Sequence, residues 1–130
     1  ASYLSPFSWK IKYNLGIVYL TMGQFVSSLQ NLSAAISLNP SHAKSYASLA
    51  IVLSKLGDFR QSCEAYDRSL DLENDCTTRC NYAITLYNND EPERARTQLE
   101  EYTRIQNKHP SIRLDPEVIE QMIALQQALT

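Results

Sequence analysis

Apolar residues recur along most of the chain at spacings of three and four, the mark of helices that bury one face. Short polar or glycine-containing breaks separate the runs, so the pattern predicts pairs of helices joined by tight turns. The runs also copy one another. Leu15-Gly16-x-x-Tyr19, Gly23, Phe25, Ser28, Leu32, Ala35 and Asn39-Pro40 are followed, 34 residues on, by Leu49-Ala50-x-x-Leu53, Gly57, Phe59, Ser62, Tyr66 and Ser69. A weaker copy comes 33 residues later as Tyr82-Ala83-x-x-Leu86, Asp90, Pro92, Ala95, Leu99 and Tyr102. The predicted pairs are Trp9–Met22 with Phe25–Leu38, Ala43–Leu56 with Phe59–Glu73, and Thr77–Asn88 with Pro92–Gln106.

The repeated order of sizes within each pair has a packing reason. Gly16, Ala50 and Ala83 on the first helices are expected to face Ser28, Ser62 and Ala95 on the second, so that two small side chains let the backbones approach. Large residues interlock around that contact, Tyr19 with Leu32, Leu53 with Tyr66, and Leu86 with Leu99. Gly23 and Gly57 end the first helices, where a left-handed residue costs least without a β-carbon. Asp58 and Gln61 spell a capping box for the helix that follows. A lone helix of about 14 residues is marginal in water, so each pair must bury its second face on the next. A period near 34 with this order of residues resembles the tetratricopeptide repeat. The resemblance implies an all-α, right-handed solenoid of antiparallel helix pairs.

Register divides the chain into 1–8 as the end of a preceding repeat, 9–42 and 43–75 as repeats, 76–109 as a degenerate repeat, and 110–130 as a linker with a C-terminal capping helix. Ala1, Leu4 and Pro6 stand one period before Ala35, Leu38 and Pro40, so the first end is expected to expose apolar surface that another repeat would cover. The third repeat departs from the pattern, with Asp90 for Gly, Pro92 for an aromatic and Asn107 for the closing Pro. Pro92 is tolerable in a first helical turn, where its missing N–H had no partner. After His109-Pro110, Asp115-Pro116-Glu117 reads as an N-cap followed by proline at the first helical position. The last helix then carries Val118, Met122, Leu125 and Leu129 at helical spacing, with Ile119 and Ile123 widening the stripe.

Composition narrows the function classes. The hydrophobic fraction of 44% is spread at one period, as in a quasi-linear core rather than a central one. No apolar run approaches the ~18 residues of a membrane span, and no leader-like segment opens the sequence, so a soluble chain is expected. The net charge is −2, and its cations are scattered among anions, which excludes the basic stripe of a nucleic-acid binder. Cys63, Cys76 and Cys80 read as reduced thiols of an intracellular protein.

Candidate chemistry mostly falls away. Cys76 and Cys80 could share a helix face, but a structural zinc site wants four ligands, so core or groove thiols are the better reading and no metal or other cofactor is expected. His42 in a turn and His109 in the linker have no nucleophile or carboxylate at a catalytic spacing. Asn31-Leu32-Ser33 fits a glycosylation triplet but falls inside a predicted helix. Glu100 and Arg104 form an i,i+4 pair on a solvated face. No enzyme activity is expected.

Surface remains. The first helices of such repeats line a concave groove, which by register shows Lys10, Tyr13, Asn14, Ile17, Leu20 and Thr21, then Lys44, Ala47, Ser48 and Ile51, then Cys80, Asn81, Ile84 and Tyr87. Ile17, Ile51 and Ile84 either line the groove or pack between repeats. A clamp for an acidic tail needs basic and asparagine residues, whereas Tyr13, Ile17, Ser48 and Thr77 stand at clamp-type positions here.

Several strings go beyond the repeat itself: Tyr3-Leu4-x-Pro6-Phe7-x-Trp9-Lys10-Ile11-x-Tyr13-Asn14-Leu15-Gly16, Leu20-Thr21-Met22, Leu32-Ser33-Ala34-Ala35-Ile36, Asn81-Tyr82-Ala83 and Leu86-Tyr87-Asn88. They resemble the Bardet-Biedl syndrome 4 family, tetratricopeptide subunits of the BBSome, in the C-terminal part of the repeat array. That resemblance implies a non-enzymatic scaffold in a coat-like complex that moves membrane proteins in and out of cilia. Its implied partners are other BBSome subunits, including a small extended one, with centriolar satellite and dynactin proteins, and it reaches membranes only through the complex. Its implied places are the cytoplasm, cilium, basal body and centriolar satellites. The competing class is the repeat array of a protein glycosyltransferase or of an anaphase-promoting ubiquitin ligase.

Overall fold

The computed structural model of the chain describes residues 8–108 and 116–129. Among them lie seven helices and no strand: α1 (Ser8–Thr21), α2 (Phe25–Leu38), α3 (Ala43–Lys55), α4 (Phe59–Leu72), α5 (Cys76–Asn88), α6 (Pro92–Lys108) and α7 (Pro116–Leu129). The helix ends fall within two residues of the expected ones. The largest difference is α6, which runs on to Lys108 because Asn107, unlike the proline it replaces, can continue a helix. The expectations for Ala1, Leu4, Pro6, His109-Pro110, Asp115 and the Val118 side chain lie outside the described residues.

The helices form two compact units, Ala1–Glu73 and Asn74–Thr130. In the first, α1 packs on α2, α3 on α4, and α2 on α3. The approach of α1 to α2 is set at Gly16, where an added Cβ would lie 2.6 Å from Leu32 Cγ and 2.7 Å from its Cδ2. The serines opposite the small residues do more than leave space. Ser28 Oγ donates to the Gly16 carbonyl at 2.7 Å, and Ser62 Oγ to the Ala50 carbonyl at 2.7 Å, each across a buried contact. Near the other end of the second pair, Ser69 Oγ donates to the Ala43 carbonyl at 2.9 Å. Each bond joins two helices while satisfying a hydroxyl that would otherwise be buried without a partner. Ala95 has no such hydroxyl, and the third pair is instead bridged by arginines, with Arg79 donating to Gln98 Oε1 at 2.7 Å and Arg94 to the Tyr82 hydroxyl at 3.3 Å.

The three turns within the helix pairs share one hydrogen-bond pattern. The N–H groups of Gln24, Asp58 and Glu91 donate to the carbonyls of Tyr19, Leu53 and Leu86, each five residues back, at 2.9 Å. This Schellman arrangement demands a left-handed residue between, and Gly23, Gly57 and Asp90 supply it with φ of +76°, +84° and +60°. Asp90 is therefore held in glycine's conformation by the turn around it. Asp58 caps α4 by accepting from the Gln61 N–H at 3.2 Å, and Asp75 caps α5 through the Thr78 N–H at 3.1 Å.

The outer side of α1 is apolar as well as the inner. Ile11, Leu15, Val18 and Met22, spaced along one stripe, stay exposed, and Val26 on α2 joins them. At the register of Val18, which is 51% exposed, the second pair has Val52, which is fully buried.

In the second unit α7 lies on both α5 and α6. Cys76, Cys80, Ala83, Leu99, Tyr102, Met122 and Leu125 form its core, with Ile84, Ile105 and Leu129 against it. Arg96 donates to the Leu129 carbonyl at 2.9 Å, placing a cation at the C-terminal end of α7, where the helix dipole favours one. Ile119 and Ile123 do not widen the buried stripe as expected. They are 39% and 50% exposed, because α5 and α6 cover only the side bearing Met122 and Leu125. The expected Glu100–Arg104 pair is likewise replaced. Arg104 reaches Glu101 at 2.7 Å, the i,i+3 neighbour on the same face.

Burial pushes the Cys80 thiol up to about 11, and burial, then Asp75, raises Cys76, so both stay protonated and make poor ligands at neutral pH. Among the described residues no three His, Cys, Asp or Glu side chains converge on a point that could hold a metal. No described helix is long and apolar enough to cross a membrane.

Candidate partner-binding surface

In the first unit the candidate residues of α1 and α3 divide by burial. Lys10, Asn14, Thr21 and Lys44 are exposed, Tyr13, Ile17, Leu20, Ala47 and Ile51 are half-buried, and Ser48 is buried. Thr21 turns its hydroxyl back onto the Val18 carbonyl at 2.7 Å, so its hydrogen-bonding capacity is partly used within its own helix. Tyr13 has a neighbour that sequence spacing did not reveal. His42, the residue before α3, holds its ring 4.5 Å from Trp9 at a tilt of 50° and meets Tyr13 edge-on at 4.9 Å, while its Nδ1 lies 2.7 Å from Ser45 Oγ. Lys10 reaches over the other ring system, 5.7 Å from the centroid of Trp9.

Burial holds the His42 pKa below its ordinary 6.5, helped by Lys44 and Lys10 and opposed by Glu73. The neutral ring is thus favoured in the fold. Between the lowered value and 6.5 the unfolded chain binds more protons than the folded one, so this group's contribution to stability is full above 6.5 and is lost as pH falls through that window. The melting temperature of the chain is expected to drop as pH falls from about 7 to about 5, and His42→Gln is expected to flatten the drop. An unchanged slope in the variant refutes the role given to His42.

In the second unit Asn81 is half-buried beside Ile84, and Tyr87 is 39% exposed. Ile84 and Tyr87 face α7 across an open cleft of about 300 Å³, completed by Gln121, Ala124, Leu125 and Ala128. Cys80 is not on this surface. It is fully buried in the core beneath, because its helical position points between α6 and α7 rather than outward.

The amides of Asn14 and Asn81 and the hydroxyl of Tyr87 make no hydrogen bond among the described residues. Other asparagines are engaged. Asn31 donates to the Ser27 carbonyl, Asn89 donates to the Thr85 carbonyl, and Asn74 accepts from Arg79. Asn14, Asn81 and Tyr87 are therefore free to meet another molecule.

The tetratricopeptide-repeat family description matches residues 10–42 and 43–76. The chain belongs to the tetratricopeptide-repeat family. Within the two matched repeats α1 and α3 are the first helices and α2 and α4 the second.

Among curated proteins this tetratricopeptide chain is similar to BBSome complex member BBS4 of Bos taurus, 39% identical over 125 residues that cover 92% of the chain and 24% of the relative. The Mus musculus protein of the same name is 38% identical over 134 residues, covering 99% and 26%. The chain thus spans about a quarter of the length of these relatives. Among solved structures it superposes on the Yersinia enterocolitica type III secretion chaperone SycD in complex with a peptide of the translocator YopD. The TM-score is 0.83 with 13% identity, covering 98% of this chain and 96% of the other.

Two parts of the surface escaped sequence reasoning. The Trp9–His42 contact joins residues 33 apart, although Trp9 in a string not demanded by the tetratricopeptide pattern was a signal. The α7 wall of the cleft had a fainter one, Ala124 and Ala128 one turn apart on a helix otherwise filled by larger residues.

Proposed function

We propose that this chain is a non-catalytic scaffold segment of a BBSome subunit, and that the first-helix face of each unit holds a segment of another subunit. The similarity to BBSome complex member BBS4 over nearly the whole chain carries the reading. It favours a BBSome over the glycosyltransferase and ubiquitin-ligase arrays that share the repeat. The proposed setting is ciliary membrane-protein trafficking, with membranes met through the complex.

The chemistry of the surface supports this role. Tyr13 and Tyr87 offer aromatic area at small cost in rotamer entropy, and the free amides of Asn14 and Asn81 can pair with a bound backbone's N–H and C=O groups. A neighbour of the same fold, SycD, is itself in complex with a peptide of YopD, which makes peptide capture by such a fold reasonable. The triple variant Asn14→Ala, Asn81→Ala, Tyr87→Ser, made in the full-length protein in ciliated cells, is expected to keep its helicity and lose co-purification with other BBSome subunits by about tenfold or more, as for truncation of interface hot spots. Wild-type recovery of the subunits would remove these faces from the interface.

A further inference from the structure

The cleft between α5 and α7 is a ready-made socket, because the residues beneath it belong to the core of the second unit. Leu125 is 6% exposed, and Ile84 packs against the same cluster. Its volume of about 300 Å³ lies at the small end of binding pockets, suited to one side chain rather than a cofactor. None of its six lining residues is charged at neutral pH. A lysine or glutamate side chain entering it would give up its hydration with no counter-charge to replace it, whereas an apolar side chain would lose only unfavourable contact with water. Ala124 and Ala128 leave the space open, and among the described residues the only polar lining groups are Tyr87 and Gln121. Neither makes a hydrogen bond among the described residues, so both can serve the peptide backbone on either side of an inserted side chain.

We infer that this cleft anchors one large uncharged side chain, of the leucine, methionine or phenylalanine class, from the partner segment. The inference rests on the scaffold reading above and names what that segment must carry. The match is one of charge and size, a neutral socket for a neutral anchor.

Methyl-labelled chain titrated with short blocked serine–glycine peptides bearing a central leucine, lysine or glutamate tests it. The leucine peptide is expected to shift the Ala124, Leu125 and Ala128 methyl resonances and to bind at least about tenfold tighter than the other two. Ala128→Met, at an exposed position where the longer side chain fills the cleft, is expected to remove that preference without loss of helicity. Equal behaviour of the three peptides, no shift at all, or an unaffected Ala128→Met variant overturns the inference. So do shifts that appear with rising protein concentration alone, which would mean a second copy occupies the site. Co-purification separates the two levels. If the triple variant of the previous section fails to assemble but Ala128→Met assembles fully, the anchor is wrong and the scaffold stands. If both assemble fully, the scaffold reading fails.

Discussion

Gly16→Leu is expected to unfold the first helix pair. A Cβ alone at Gly16 would come within 2.6 Å of Leu32 Cγ, and Leu32 is fully buried, so it has no solvent side to swing toward. Overpacking of this kind costs about 1 to 3 kcal/mol for small additions and more when the obstacle is fixed. Gly16→Ala isolates the effect. Alanine gains about 1 kcal/mol of helix propensity over glycine, so a net loss of stability in that variant means the steric cost exceeds the gain. Trimming the obstacle with Leu32→Val is expected to make the two changes less than additive, since they share one contact. Chemical denaturation followed by circular dichroism checks each variant. A Gly16→Leu chain with native helicity and an unchanged midpoint would falsify the packing described for α1 and α2.

The second large effect concerns α7. Met122→Asp puts a carboxylate among Cys76, Cys80, Ala83, Leu99, Tyr102 and Leu125, a cluster with no cation. An uncompensated buried charge costs about 3 to 5 kcal/mol, and a detached helix of 14 residues is marginal in water. The helix is therefore expected to undock and melt, losing its share of the circular dichroism signal and its amide protection, while α1 to α4 keep theirs. The cleft beside Tyr87 should vanish with it. Amides of α7 that exchange as slowly as in the unaltered chain would contradict the docking.

What could be read in advance follows from which interactions are local. Gly23 and Gly57 were legible because a left-handed turn residue is chosen for its own backbone. Asp58 and Pro92 were legible because a helix start selects residues one turn away. Asp90 could be recognised as standing in a glycine position, but its positive φ appears only with the turn's hydrogen bonds in view. Cys80 sits in the core rather than the groove, a choice its spacing leaves open because a small apolar residue inside a helix fits either, and only the docking of α7 decides between them. Ile119 and Ile123 were misread for the same reason, since spacing says that a residue shares a face but not how much of the face a neighbour covers. Arg104 had two carboxylates in reach, and one-dimensional spacing does not rank i,i+3 against i,i+4. Ser28 and Ser62 were read for size alone, although their hydroxyls make the cross-helix bonds.

Those serine bonds bear on the order in which the chain folds. Ser28 meets the Gly16 carbonyl and Ser62 the Ala50 carbonyl, each only 12 residues away along the chain. Loops of about 10 residues close in 10 to 100 ns, so these contacts come within reach long before distant parts of a chain find one another. The first two helix pairs thus carry their own short-range nuclei, and low contact order predicts collapse on the fast side of the range for small domains. The third pair, with Ala95 in the serine's place, has no buried serine latch, and its short-range polar contact is the longer, partly exposed one from Arg94 to the Tyr82 hydroxyl at 3.3 Å. Newly made chain emerging from a ribosome would then gain protected structure pair by pair, with α5 and α6 waiting on α7 to complete their core.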